Sequence, residues 1–171
     1  EDKALKSAIE LIDTFEKKYE EKWLSMMRNK LGLLDEDNKD KFLIVDLLTW
    51  MHSNKVDYTN TFCYLMNFEI QKDKRYIKDD FQNWLKRWKE RLKNIKNSQN
   101  NSMDLMRSFN PLVIPRNHKV EEALDEANKN NLEPVNKLLK VLKEPYSKKN
   151  DNLDFQIPDI SRKDYKTFCG T

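Results

Sequence analysis

Only two of the 171 residues are glycine, Gly32 and Gly170. Ordinary proteins carry roughly 7%. Hairpin turns, Gly-rich phosphate loops and nucleotide-binding sheets all need backbone at positive φ, which glycine adopts without steric cost. A chain this poor in glycine folds as helices joined by short polar links. The same scarcity excludes a Walker loop, a dinucleotide fingerprint or a kinase-type Gly-rich loop within these residues.

The apolar spacing bears this out along the chain. Leu5, Ile9, Ile12, Phe15, Tyr19, Trp23 and Met26 recur at helical intervals and predict one long amphipathic helix over 3–31, stopped near Gly32. A polar link, Asp35–Lys39, leads to a dense apolar helix over 42–52. Asp57 is placed to cap a third helix that buries Tyr58, Phe62, Leu65 and Met66. After a charged bridge at 71–74, Phe81, Trp84, Leu85, Trp88, Leu92 and Ile95 form the stripe of a fourth helix. Short helices are expected over about 102–108, 118–129 and 133–143, the last with Pro134 tolerated in its first turn. From Pro145 the chain reads as irregular, with a polar loop at 148–152 and Pro158 blocking regular structure. The expectation is an all-α, irregular helical bundle of about six or seven helices. Residues 1–144 form its helical part and 145–171 an extended C-terminal tail.

Charged residues make up 36% of the chain, yet the net charge is only +3. The two signs interleave as on solvated helix faces, which is not the pattern of a dedicated nucleic-acid binder. Two cysteines, Cys63 and Cys169, cannot build a disulfide framework or a zinc site, and fit a reducing, cytoplasmic setting. No apolar run reaches membrane-spanning length, and no signal peptide is visible. The chain opens with Glu1 already inside a helical pattern, which reads as a piece of a longer protein.

The most distinctive stretch is Met106–Tyr146. Two X-Pro corners, Asn110-Pro111 and Ile114-Pro115, hold six residues stiffly extended. Between them Leu112, Val113 and Ile114 form an apolar plug expected to be buried. The plug delivers Arg116 and Asn117 to a helix start, with Asn117 expected as N-cap. Arg116 suits two roles: pairing with a carboxylate or helix end, or facing an anionic ligand with its planar fork.

Other candidates read as structural. Asp35, Asp37 and Lys39 look superficially like a calcium loop, but Lys39 stands where an oxygen donor belongs and Asp40 where glycine is required. His52 and His118 lack partner histidines at metal-ligand spacing, so neither metal nor catalytic residues are assigned. The basic segment 72–96 interleaves lysine and arginine with Trp84 and Trp88, as single-strand binders do. Both tryptophans lie on the core face of their helix, which disfavours stacking on bases. Cys63 sits on an apolar stripe as a buried thiol. Cys169 follows Phe168 close to the chain end and reads as the more reactive of the two.

Four stretches in order carry a family resemblance: YEEKWLSMMRNKLGL (19–33), VDYTNTFCYL (56–65), FQNWLKRWKERL (81–92) and MRSFNPLVIPRNH (106–118), continuing to Pro145-Tyr146. Together they resemble the C-terminal region of the selenoprotein O (YdiU-like) family of pseudokinase-fold adenylyltransferases. One departure is Cys63, where the family pattern has arginine. The resemblance implies a parent that transfers AMP from ATP to Ser, Thr or Tyr hydroxyls of proteins with Mg²⁺. It also implies that the catalytic and cofactor-binding residues lie in an upstream kinase-like core. This chain would then pack against that core and be non-catalytic alone. Some relatives place selenocysteine third from the C-terminus, the position of Cys169, which implies a redox-sensitive residue there. The alternative is a free-standing helical interaction module, binding nucleic acid through the 72–96 helix.

Overall fold

The computed structural model describes residues 2–67, 73–94, 99–147 and 153–159. Eight α-helices occur among them: α1 (Asp2–Lys30), α2 (Asp40–Asn54), α3 (Tyr58–Leu65), α4 (Asp79–Lys93), α5 (Gln99–Phe109), α6 (Asn117–Asn128), α7 (Glu133–Leu142) and α8 (Leu153–Gln156). A 3-10 turn, Lys74–Ile77, precedes α4, and the described residues contain no strand. The all-α expectation holds. The additional helix is the four-residue α8, in the segment expected to be irregular. No helix among the described residues is long and apolar enough to cross a membrane. The chain divides into two compact units: Glu1–Val56 with Lys72–Asn110, and Asp57–Gln71 with Pro111–Thr171.

In the first unit, helix ends explain how so little glycine suffices. Gly32, at φ +72°, closes α1: its N–H reaches the Asn29 carbonyl at 3.1 Å and the Leu33 N–H reaches the Arg28 carbonyl at 2.9 Å. That is the paired-bond stop that favours a left-handed residue after the last turn. α2 ends in the same bond pattern, but Lys55 occupies the left-handed position at φ 51°. Arg75 Nη1 donates to the Asn54 and Lys55 carbonyls at 2.8 and 2.9 Å, satisfying acceptors the helix end leaves open.

The core of this unit is aromatic. Trp50 packs on Phe81 with ring centroids 4.5 Å apart, Phe81 on Trp84 at 5.8 Å, and Trp84 on Trp88 at 6.1 Å. The indole N–H groups are bonded as burial requires: Trp84 to the Leu43 carbonyl at 2.8 Å, Trp88 to the Leu31 carbonyl at 2.9 Å, Trp50 to Asp80 at 2.9 Å. Only the C-terminal part of α1 joins this core, through Met27. The stripe seen in the sequence stays uncovered: Leu5, Ile9, Ile12, Phe15 and Tyr19 are all exposed, Ile12 by 71%. Helical periodicity reveals a face but not what meets it.

In the second unit Asp57 caps α3, accepting the Asn60 N–H at 2.8 Å. Phe62, Leu65 and Met66 are buried, whereas Tyr58 is 42% exposed and rests edge-on against Phe62. The plug docks through its backbone as well as its side chains. The N–H groups of Leu112 and Val113 both point to the Pro145 carbonyl, at 2.7 and 3.3 Å. Leu112 and Val113 are buried, but Ile114 is only half-buried, because the chain turns outward at Pro115. α6 and α7 pack together, with Ala123, Leu138 and Val141 inside. α8 buries Phe155 and Gln156.

Candidate functional site

Arg116 makes four side-chain hydrogen bonds within the second unit. It sits at the N-cap position of α6 in extended geometry, φ −67°, ψ 128°. The expected cap, Asn117, is instead the first helical residue, since the stiff Ile114-Pro115 corner hands the turn to Arg116. Its guanidinium forks onto Asp57: Nη2 donates to Oδ1 at 3.0 Å, and Nη1 to Oδ2. Nη2 also meets Asn60 Oδ1 at 3.1 Å and the Gln156 carbonyl at 2.9 Å. The carboxylate that caps α3 is therefore the one that neutralises the residue starting α6. One charge pair fixes two helix starts and α8. The shallow pocket beside it is lined by Ile114, Pro115, Arg116, Asn117, His118, Pro158 and Asp159.

The first unit holds a charged centre that the sequence did not announce. Asp40, the first residue of α2, has a fully buried side chain. Its Oδ2 accepts Arg28 Nε–H and the Asp37 N–H, both at 2.9 Å, and its Oδ1 accepts Arg91 Nε–H at 2.9 Å. Arg91 continues to the Asp35 carboxylate at 2.7 Å, and Arg28 to Glu36 at 3.2 Å. Burial opposes the Arg91 charge, yet the hydrogen bonds it donates to Asp40 and Asp35, with the negative charge of both, outweigh it and raise its pKa. The segment that resembled a calcium loop is thus folded around two guanidinium groups. With three carboxylates and two arginines interlocked, the arrangement staples the 35–40 loop to α1 and α4. A signal did exist: Arg91 continues the Trp84, Trp88 series onto the core side of α4, where a charge needs a buried partner.

Among the described residues, no group of three or more His, Cys, Asp or Glu is positioned to hold a metal ion. His52 is exposed and His118 half-buried. Trp84 and Trp88 are buried and their N–H groups are engaged by backbone carbonyls, so α4 offers no aromatic platform to a nucleic acid. Cys63 is fully buried, its Sγ 3.8 Å from the Pro111 carbonyl oxygen. Cys169 lies outside the described residues.

Comparison with known proteins bears on the whole chain. The family model described as "Protein adenylyltransferase SelO" matches residues 1–143. The chain is 52% identical to the "Protein nucleotidyltransferase YdiU" of Pelagibacter ubique (strain HTCC1062) over 172 aligned residues, covering 100% of this chain and 36% of that protein. The proteins of the same name from Alcanivorax borkumensis and Clostridium botulinum (strain 657 / Type Ba4) are 41% and 43% identical, over 99% and 98% of the chain and 36% and 35% of their own lengths. The chain therefore spans about 36% of the length of the curated relatives it matches, and it belongs to the SelO protein adenylyltransferase family.

Proposed function

We propose that this chain is the helical C-terminal region of a protein adenylyltransferase. The parent transfers AMP from ATP to Ser, Thr or Tyr hydroxyls of protein substrates with Mg²⁺. The carrying observation is the family match across residues 1–143, joined to coverage of about 36% of the relatives' length. ATP and Mg²⁺ are assigned to the upstream kinase-like core. Asp40 and Asp57 of this chain pair with arginines. The chain's contribution is to pack against that core and stiffen it, in a cytoplasmic protein.

The test uses the full-length protein with Mg²⁺ and ATP labelled either at the α- or at the γ-phosphate. Label from the α-position should appear on protein hydroxyls. Label from the γ-position alone, or from neither, overturns the reading. The isolated chain should show no saturable ATP binding by calorimetry at micromolar concentrations.

A further inference from the structure

Every described side chain from Ala4 to Lys22 of α1 is exposed. That length is about 28 Å of helix at the usual rise, and the contact recorded from it to another helix of its unit is the exposed ion pair of Glu20 with Lys41, off the apolar face. Its two sides are unlike. One carries Leu5, Ile9, Ile12, Phe15 and Tyr19, with Phe15 and Tyr19 stacked at 6.1 Å, and only Glu16 interrupts it. The other carries Lys6, Glu10, Asp13, Lys17 and Glu21. Leu5, Ile12, Tyr19 and Met26 recur every seventh residue, the spacing of a helix that lays one seam along a neighbour. Helices draw most of their stability from such a packed face, and soluble monomers rarely leave one this long bare.

We infer that the Leu5–Ile9–Ile12–Phe15–Tyr19 face is a docking surface, covered by an apolar groove on the part of the parent polypeptide outside these 171 residues. The inference rests on the reading above of the chain as one region of a longer protein, and it specifies where that region is held. Two observations choose this occupant. The relatives are nearly three times as long as the stretch the chain matches, so most of the protein remains to supply the cover. Self-pairing is the poorer fit: the seam mixes Glu16 with aromatic rings instead of alternating branched aliphatics, so a second copy would meet the same charge and bulk along its own seam.

The experiment places a photo-cross-linking residue, p-benzoylphenylalanine, at position 15 of the full-length protein, and in a control at position 17 on the charged side. After irradiation, products are separated by size and mapped by mass spectrometry. Position 15 should cross-link within one polypeptide to a peptide beyond these 171 residues, several-fold more than position 17. A product of doubled mass joining two α1 helices overturns the inference in favour of self-association. Equal, low yields at both positions overturn it as well. As a second readout, Ile12→Glu should lower the melting temperature of the full-length protein, and Lys17→Glu should not. AMP transfer is measured on the same samples. Cross-linking without transfer would sink the enzymatic reading and leave the docking surface standing; transfer without cross-linking would do the reverse.

Discussion

Replacing Asp40 by alanine removes a buried carboxylate that accepts from Arg28 Nε, Arg91 Nε and the Asp37 N–H. The Arg28 and Arg91 side chains are themselves only 12% and 14% exposed, so water reaches them poorly once the partner is gone. Breaking a buried pair by deleting one member costs about 3–5 kcal/mol, because the surviving charge is left unpaired. The upper end does not apply here. Arg91 keeps Asp35 at 2.7 Å, and Arg28 keeps Glu36 at 3.2 Å, although Glu36 is 81% exposed and holds weakly. The expected loss is therefore about 3 kcal/mol. Asp40→Asn should cost nearly as much, since an amide turns two donors of its own towards groups that only donate. Urea unfolding of the chain followed by far-ultraviolet circular dichroism measures the loss. With a slope of about 2 kcal/mol/M, the midpoint should fall by about 1.5 M. A fall below about 0.5 M for both variants, at unchanged slope, would refute the claim that this carboxylate holds the 35–40 loop against α1 and α4.

Leu112→Ala should cost about 2–5 kcal/mol, and Ile114→Ala clearly less, because only the first is buried; equal melting temperatures would count against the plug as described. Gly32→Ala should destabilise by at least about 1–2 kcal/mol, since the residue sits at φ +72° and its new Cβ would meet the Ser102 carbonyl oxygen at 2.7 Å and Met106 Cγ at 2.9 Å. The hydrogen bonds from Arg75 hold the Asp73 carboxyl below the usual carboxylate range. Asp73 thus binds its proton less readily folded than unfolded, and its stabilisation is complete at neutral pH and lost as acid carries the solution below about 4. The difference between wild type and Asp73→Asn should shrink over that window; a gap that widens in acid would be inconsistent. Native alkylation should leave Cys63 unmodified until denaturant is added.

Much of this architecture could be read from the residues, for local reasons. Helix starts and stops are written within a few positions: Asp57 capping α3, Pro134 in the first turn of α7, Gly32 ending α1. The aromatic stripe of α4 announced its buried face through spacing alone. What failed to show was whatever depends on distant partners. Asp40 meets Arg28 across 12 residues and Arg91 across 51, and no local pattern links them. The α1 stripe has the periodicity of a core face, but exposure depends on which elements reach it. Lys55 gives no sign of a left-handed conformation, because the support that permits it, Arg75, arrives from 20 residues downstream. Arg116 was recognisable as a residue with a task, yet its partner Asp57 lies 59 residues away, already visible as a helix cap.

The aromatic core has an optical consequence. All four tryptophans, Trp23, Trp50, Trp84 and Trp88, belong to the first compact unit, and the second has none. Intrinsic fluorescence excited at the red edge of the indole band therefore has its reporters in one unit only. Circular dichroism sums the helices of both. Superimposable unfolding curves from the two probes would mean one cooperative transition, and separated curves would mean two. Trp84 and Trp88 add a further marker: their rings lie 6.1 Å apart and within 9° of parallel, close enough for their transitions to couple. A near-ultraviolet couplet that disappears with the fluorescence change would report the loss of that stack directly.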